Sequence, residues 1–292
     1  MSICETKKSM DIKVSVIIPT LNRRELIKRA IDSVLYQTHP IYEIIVVDNG
    51  STDSTVAMLC ENYPSVKVLE ENQRGVSYAR NTGIRSSKGD WIALLDSDDA
   101  WSAQKTERQL DLYSSIGKDY RLIHTSEIWY KHDKLLNQKK QHKKSGGDVF
   151  QECVNLCCIS PSSSLIRRDL FSDIGYFDEK LPACEDYDFW LRLSSREEVL
   201  FVNEPLTIKY GGHINQLSKK YWGMDRFRVT ALEKIIKQGK LTEHQFNIAF
   251  QSLLLRLNII YEGARKRKNT EIEKVYLNKL QNWKDFSWKG KS

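Results

Sequence analysis

Long apolar runs are missing from this chain of 292 residues. None approaches the roughly 18 residues a membrane-spanning helix needs, so no such helix is expected. The opening stretch, MSICETKKSMDIK, is polar and lacks the apolar centre of a signal peptide, which points to a cytoplasmic protein. Cysteine is limited to six residues: Cys4, Cys60, Cys153, Cys157, Cys158 and Cys184. Without a secretory signal they read as reduced thiols. The group at 153, 157 and 158 has no CxxC pair and no second ligand pair, so packing thiols are expected there rather than zinc. Two glycine-rich nucleotide signatures are also absent. The first apolar run ends in Pro19-Thr20-Leu21-Asn22-Arg23, with neither GxGxxG nor GxxxxGK[ST]. Dinucleotide oxidoreductase and P-loop NTPase readings therefore lose their main support. There is no internal repeat and no long low-complexity linker.

What is present is ordinary for a soluble globular protein: 40% hydrophobic and 28% charged residues. The net charge of +7 suggests an anionic partner, and much of the excess lies in residues 131–144 and 265–268. A nucleic-acid surface is one reading of that charge. The interleaved aromatics and the RNA or DNA motifs that would strengthen it are missing, so no nucleic acid is expected.

The first half alternates between two periods. Residues 14–18, 42–47, 66–69 and 91–95 are short, nearly unbroken apolar runs. Between them, residues 26–35, 53–61 and 76–85 follow helical spacing. Buried strands alternating with helices predict an α/β fold, a mostly parallel sheet covered on both faces. Further strands are expected at 120–130, 161–167, 199–202 and 206–210, an exposed basic loop at 131–147, and a helix at 185–194 with Phe189, Trp190 and Leu193 turned inward. From about residue 219 the chain reads as helical. Gly239 marks one helix end, and Thr242 with Gln245 forms a capping-box pattern before an apolar stripe from Phe246 to Ala264. That stripe would pack on the α/β body or on a second copy, which leaves room for a homodimer.

The most informative residues are Asp96-Ser97-Asp98-Asp99. Three acids in four residues at a strand end repel one another unless something positive sits among them. Such a cluster suits a divalent cation carrying a diphosphate, and it also suits a loop that caps the next helix, with Asp99 as the cap. Ligands of parallel sheets gather at the carboxyl ends of the strands. Thr20, Asp48, Asn49, Asp96 and Asp98 are therefore expected within reach of one ligand.

Four ordered segments, VSVIIPTLNR, EIIVVDNGSTDST, NQRGVSYARNTGI and GDWIALLDSDDAW, carry a resemblance. It continues through GYFDEKL and EDYDFWLRLS, covering roughly residues 13–215. Together they resemble the inverting glycosyltransferases of family two. The resemblance implies a GT-A, Rossmann-like nucleotide-diphospho-sugar fold: a polar tail at 1–12, a catalytic domain at 13–215 (nucleotide-sugar half 13–100, acceptor half 101–215) and a helical C-terminal extension at 216–292. It implies an enzyme moving a sugar from a nucleoside-diphosphate sugar to an acceptor hydroxyl, with Mn or Mg as cofactor. The setting would be bacterial surface polysaccharide or glycoconjugate synthesis on a glycan or lipid-linked acceptor. The basic segments would then allow peripheral contact with the anionic inner face of the membrane.

Residue by residue, the resemblance assigns Pro19, Thr20, Asp48 and Asn49 to the base and ribose pocket. Many relatives carry a second Asp where this chain has Asn49, an amide able both to donate and to accept. Arg80 would support the nucleotide or its phosphates. Asp96 would face the ribose or a metal-bound water, and Asp98 would ligate the cation. Asp186 would be the catalytic base, with Glu185 as its backup and Trp190 as an aromatic wall on the same helix face. An acidic first turn favoured by the helix dipole is the plainer reading of these acids. His213, flanked by Gly211 and Gly212, would approach the metal or diphosphate. A binding module that kept the fold without activity is the alternative function.

Overall fold

The computed structural model describes residues 12–132, 134–138, 142–212 and 221–286. The chain divides into two compact units. One comprises Met1–Gly147, Cys158–Pro182 and Glu197–His213; the other comprises Asp148–Cys157, Ala183–Arg196 and Ile214–Ser292.

The first unit is built on a mixed sheet. Its strands are β1 (Val14–Thr20), β2 (Glu43–Asp48), β3 (Lys67–Glu70), β4 (Trp91–Leu94), β5 (Ala100–Trp101), β6 (Leu122–Lys131), β7 (Lys134–Leu136), β8 (Leu165–Arg167) and β9 (Leu200–Gly211). Their order is β3-β2-β1-β4-β8-β6-β9-β5, with β7 paired to β6. The half from β3 to β4 is parallel, as the unbroken apolar runs require. Antiparallel pairing enters where β8 joins β4. Helices α1 (Leu26–Leu35), α2 (Thr55–Asn62), α3 (Val76–Ser86) and α4 (Lys105–Ser115) connect the strands. α1 buries Ile27, Ala30, Ile31 and Val34, the residues its spacing marks. They join Val14, Val16, Ile18, Val46 and Ala93 in one apolar core.

Three stretches depart from expectation. Residues 161–167 are not one strand: Pro161–Ser163 is a 3₁₀ turn, and only Leu165–Arg167 pairs. The hydroxyls of Ser163 and Ser164 donate to the carbonyls of Ser160 and Pro161 at 2.9 and 2.7 Å, which competes with the ladder. The two strands expected at 199–210 form the single strand β9. Pro205 is accommodated at a register irregularity opposite Ser126. The basic loop is not wholly exposed either. Lys134–Leu136 returns as a hairpin against β6, and Lys144 is drawn inward to Glu127, Nζ to carboxylate 3.1 Å.

The second unit is helical: α5 (Phe150–Asn155), α7 (Glu185–Ser194), α8 (Asp225–Lys237), α9 (Glu243–Lys266) and α10 (Thr270–Lys284), while the short α6 (Leu170–Ile174) belongs to the first unit. α7 packs on α5 and α8, and α9 packs on α5, α8 and α10. Gly239 adopts φ +64°, and the capping box of Thr242 and Gln245 is formed in both directions. Among the described residues no helix is long and apolar enough to cross a membrane.

Candidate active site

Because β2, β1 and β4 are parallel neighbours, their carboxyl ends share one edge of the sheet. Thr20 and Asp48 are register partners there. Both side chains are buried, and Thr20 Oγ1 and Asp48 Oδ1 have no hydrogen-bond partner. Asp48 Oδ2 is occupied, accepting the backbone N–H groups of Gly50 and Ser51 at 3.0 and 2.9 Å. Two orphaned polar atoms side by side are costly unless a ligand completes them. Pro19 is buried immediately before Thr20 and pairs in register with Val47.

Asn49 lies at the same edge, and its side chain is engaged with the neighbouring backbone. Its Nδ2 donates to the carbonyls of Glu71 and Gln73 at 2.9 and 2.7 Å, and its Oδ1 accepts from Gly75 N–H at 2.8 Å. The amide's donors are spent on pinning the segment that leads into α3. Arg74 from this segment reaches back to the Asn49 carbonyl at 2.9 Å.

The acidic cluster follows β4. The positive charge that three close carboxylates require comes from Arg80 and Lys209. Arg80, on α3, pairs with Asp96 at 2.7 Å and lies 5.4 Å from the centre of the Phe177 ring. Lys209, on β9, sits 2.7 Å from Asp99 and 3.9 Å from Asp96. Burial pushes the Asp96 carboxyl up, but Arg80 and Lys209 outweigh it and hold the group below its ordinary value. Asp98 moves the other way, raised by burial and then by Asp96. Asp99 is pushed up to about 7, first by burial, against the pull of Lys209.

Asp99 is not a helix cap. It accepts the Ser162 hydroxyl at 2.6 Å and Tyr210 N–H at 3.3 Å, while α4 starts after Gln104 with no side-chain cap. Arg29 clamps the turn from the other side. It donates to the Asp98 carbonyl at 2.7 Å, with its guanidinium 3.5 Å from the centre of the Tyr210 ring. Asp96 and Asp98 are thus the carboxylates of this turn that are not tied to both the Ser162 hydroxyl and the Tyr210 N–H. A cation would relieve the repulsion that raises Asp98. Among the described residues, no group of three or more His, Cys, Asp or Glu side chains could hold a metal ion. That result includes the cysteines at 153, 157 and 158, which form no disulfide.

In the second unit, α7 begins after Cys184, which adopts the left-handed conformation at φ 60°. Of the three acids in its first turn, Glu185 and Asp188 are buried and Asp186 is partly exposed. Asp188 is spent on Arg192 and Lys234, at 2.9 and 2.7 Å. Asp186 accepts from Tyr187 N–H at 2.7 Å and from the Cys157 thiol at 3.3 Å. Trp190 is not a sugar-facing wall. It is among the largest fully buried side chains, edge-on to Phe189. His213 lies outside the described residues.

Sequence reasoning missed Arg29, Arg74, Lys209 and Ser162. Each acts across a long chain separation, and no local pattern distinguishes such residues from surface or strand positions.

A family model described as glycosyl transferase family 2 matches residues 15–175. The chain belongs to that family. An uncharacterized glycosyltransferase of Rickettsia felis is 31% identical over 214 residues, covering 70% of this chain and 34% of its own length. The chain therefore spans about a third of that relative. The putative teichuronic acid biosynthesis glycosyltransferase TuaG of Bacillus subtilis is 42% identical over 104 residues, covering 34% of this chain and 40% of its own. Among solved structures, S. aureus TarS in complex with UDP-GlcNAc aligns with a TM-score of 0.73 at 18% identity, over 93% of this chain and 81% of that one. The mannosyltransferase PcManGT of Pyrobaculum calidifontis, in complex with GDP-Man and Mn2+, aligns at 0.58 and 17%, over 93% and 84%. These likenesses establish a GT-A fold with added C-terminal helices.

Proposed function

We propose that the chain is an inverting, cation-dependent glycosyltransferase that moves a sugar from a nucleoside-diphosphate sugar to an acceptor hydroxyl. The observation that carries this reading is the sheet edge where the orphaned Thr20 Oγ1 and Asp48 Oδ1 occur together with the Asp96–Asp99 turn. The first pair offers polar contacts to base and ribose, and the second offers a diphosphate–cation site. TarS was solved with UDP-GlcNAc and TuaG is named for teichuronic acid, so UDP-GlcNAc is the first donor to test and a bacterial surface glycan, free or lipid-linked, is the acceptor class. The exposed run Arg265-Lys266-Arg267-Lys268 would meet an anionic membrane face where such acceptors are assembled.

In the proposed reaction Asp186 takes the proton of the acceptor hydroxyl as its oxygen attacks the anomeric carbon. The bond from that carbon to the diphosphate breaks, and the departing nucleoside diphosphate keeps the electron pair. Asp98, with Asp96 in support, would hold a divalent cation, which would supply charge neutralisation for the leaving group. Arg80 and Lys209 keep the carboxylate turn in place, and Thr20 and Asp48 orient the nucleoside.

The test pairs two variants with two readouts. Asp98→Ala is expected to abolish sugar release and to remove the thermal shift produced by nucleotide sugar with Mn. Asp186→Asn is expected to lower kcat by about 10²-fold or more while leaving that thermal shift intact. Full turnover by Asp186→Asn would overturn the base assignment. An unchanged Mn-dependent shift in Asp98→Ala would overturn the cation site. Binding without any turnover in the unmodified chain would favour the non-catalytic module.

A further inference from the structure

We infer that Cys157 is a positioning residue for the Asp186 carboxylate, holding one of its oxygens so that the group meets an acceptor hydroxyl in one orientation. This rests on the reading of Asp186 as the base. The carboxylate is gripped at both ends. Oδ1 accepts the Tyr187 backbone N–H at 2.7 Å, and Oδ2 accepts the Cys157 thiol at 3.3 Å. Neither donor carries charge. That matters for a base, because an Arg or Lys at hydrogen-bond distance stabilises the carboxylate and weakens its pull on a proton. Asp188, two residues along the same helix, shows the contrast. It is buried and paired with both Arg192 and Lys234, so its carboxylate is already taken up by two cations.

The thiol is set by tertiary hydrogen bonds. Cys157 follows α5, and the last turn of that helix is tied down from two directions. Tyr187 Oη donates to the Val154 carbonyl at 2.7 Å. Arg256, on α9, donates to the carbonyls of Val154 and Asn155 at 3.2 and 2.8 Å. Tyr187 thus has a double part: its backbone holds one oxygen of Asp186, and its hydroxyl holds the segment that delivers the donor to the other. Arg228 of α8 exerts an electrostatic pull on both Cys184 and Cys157, and is itself paired to Asp225 at 3.0 Å.

The proposal is tested in two ways on the full chain. The first needs no substrate. A thiol that donates to a carboxylate is held protonated and alkylates slowly. In Asp186→Ala, iodoacetamide labelling of Cys157, followed by peptide mass spectrometry, is expected to be several-fold faster than in the unmodified chain, with Cys60 labelling as internal reference. Equal rates would overturn the contact. The second is kinetic, with UDP release from UDP-GlcNAc as the readout. Cys157→Ala is expected to lower kcat by about 3- to 10-fold with KM unchanged, the loss matching one modest hydrogen bond. Cys157→Ser, which restores a donor, is expected to recover it. A kcat equal to the unmodified chain in Cys157→Ala, with Asp186→Asn inactive, would overturn the positioning role alone. Full turnover in Asp186→Asn would overturn the base and this role together. An Ala-variant loss that Ser does not rescue would mark a packing effect and would also overturn it.

Discussion

Asn49 illustrates how a side chain can stand at a candidate site with its amide donors already taken by the backbone. The sequence places it beside Asp48 at a strand end, and an amide there reads as a base contact. In the fold, two N–H groups are consumed by the carbonyls of Glu71 and Gln73. Asn49→Asp would replace the donating Nδ2 with an acceptor oxygen facing both carbonyls. The expected outcome is a loss of about 1–3 kcal/mol in stability, read as a lower urea midpoint at unchanged m value. A neutral result would mean that the segment 71–75 is held by other contacts. The acid turn carries the same lesson. Asp96, Asp98 and Asp99 look equivalent in sequence, yet Arg80 depresses one, burial and repulsion raise another, and the third is raised by burial even with Lys209 bound to it. Charge spacing along the chain was legible; the cations that differentiate the acids come from α3 and β9.

At the scale of elements, α3 matters because it carries Arg80 and lies directly on β1 and β2. Gly83 makes that approach possible. A Cβ there would stand 2.4 Å from Ile17 Cγ2 and 3.1 Å from Val47 Cγ2. Gly83→Ala would gain about 1 kcal/mol of helix propensity but would force α3 off the sheet, and overpacking of this kind costs about 1–3 kcal/mol. The expected net result is a destabilised protein whose nucleotide-sugar affinity also falls, since Arg80 moves with the helix. Circular dichroism melts with and without UDP-GlcNAc would check both effects. The helical periodicity of α3 was plain in sequence. Its closeness to the sheet was not, because a glycine in a helix looks like a weakness until the facing strands are known.

For the molecule as a whole, pH tests the buried polar groups together, and His124 stands out. Its Nε2 bonds the Ser145 carbonyl at 2.8 Å, Nδ1 has no partner, and burial followed by the nearby Lys144 lowers its pKa to about 3. The folded protein therefore holds this ring neutral, whereas the unfolded chain takes up a proton below about 6.5. Stability contributed by the neutral ring is complete above that value and is lost as pH falls from about 6.5 towards 3. His124→Gln keeps a donor for Ser145 and removes the titration. The slope of unfolding free energy against pH between 6 and 4 should then flatten by up to about 1.4 kcal/mol per pH unit relative to the unmodified chain. Parallel slopes would show that His124 does not titrate on unfolding in this range.

Local physics settled what the sequence could settle. Unbroken apolar runs alternating with helical spacing specify a parallel α/β half, and a polar turn after each strand marks the candidate ligand edge, since both depend on residues near one another in the chain. The capping box at Thr242 and the helix at 185–194 follow for the same reason. Tertiary structure alone decided which groups at that edge are spent and which remain for a ligand. Asn49 went to the backbone, Trp190 to the core and Asp99 to Ser162 and Lys209, while Thr20 Oγ1 and Asp48 Oδ1 were left without partners. Those outcomes hang on hydrogen bonds and ion pairs closed between distant segments, and a hydrogen bond has no signature until both of its ends are in place.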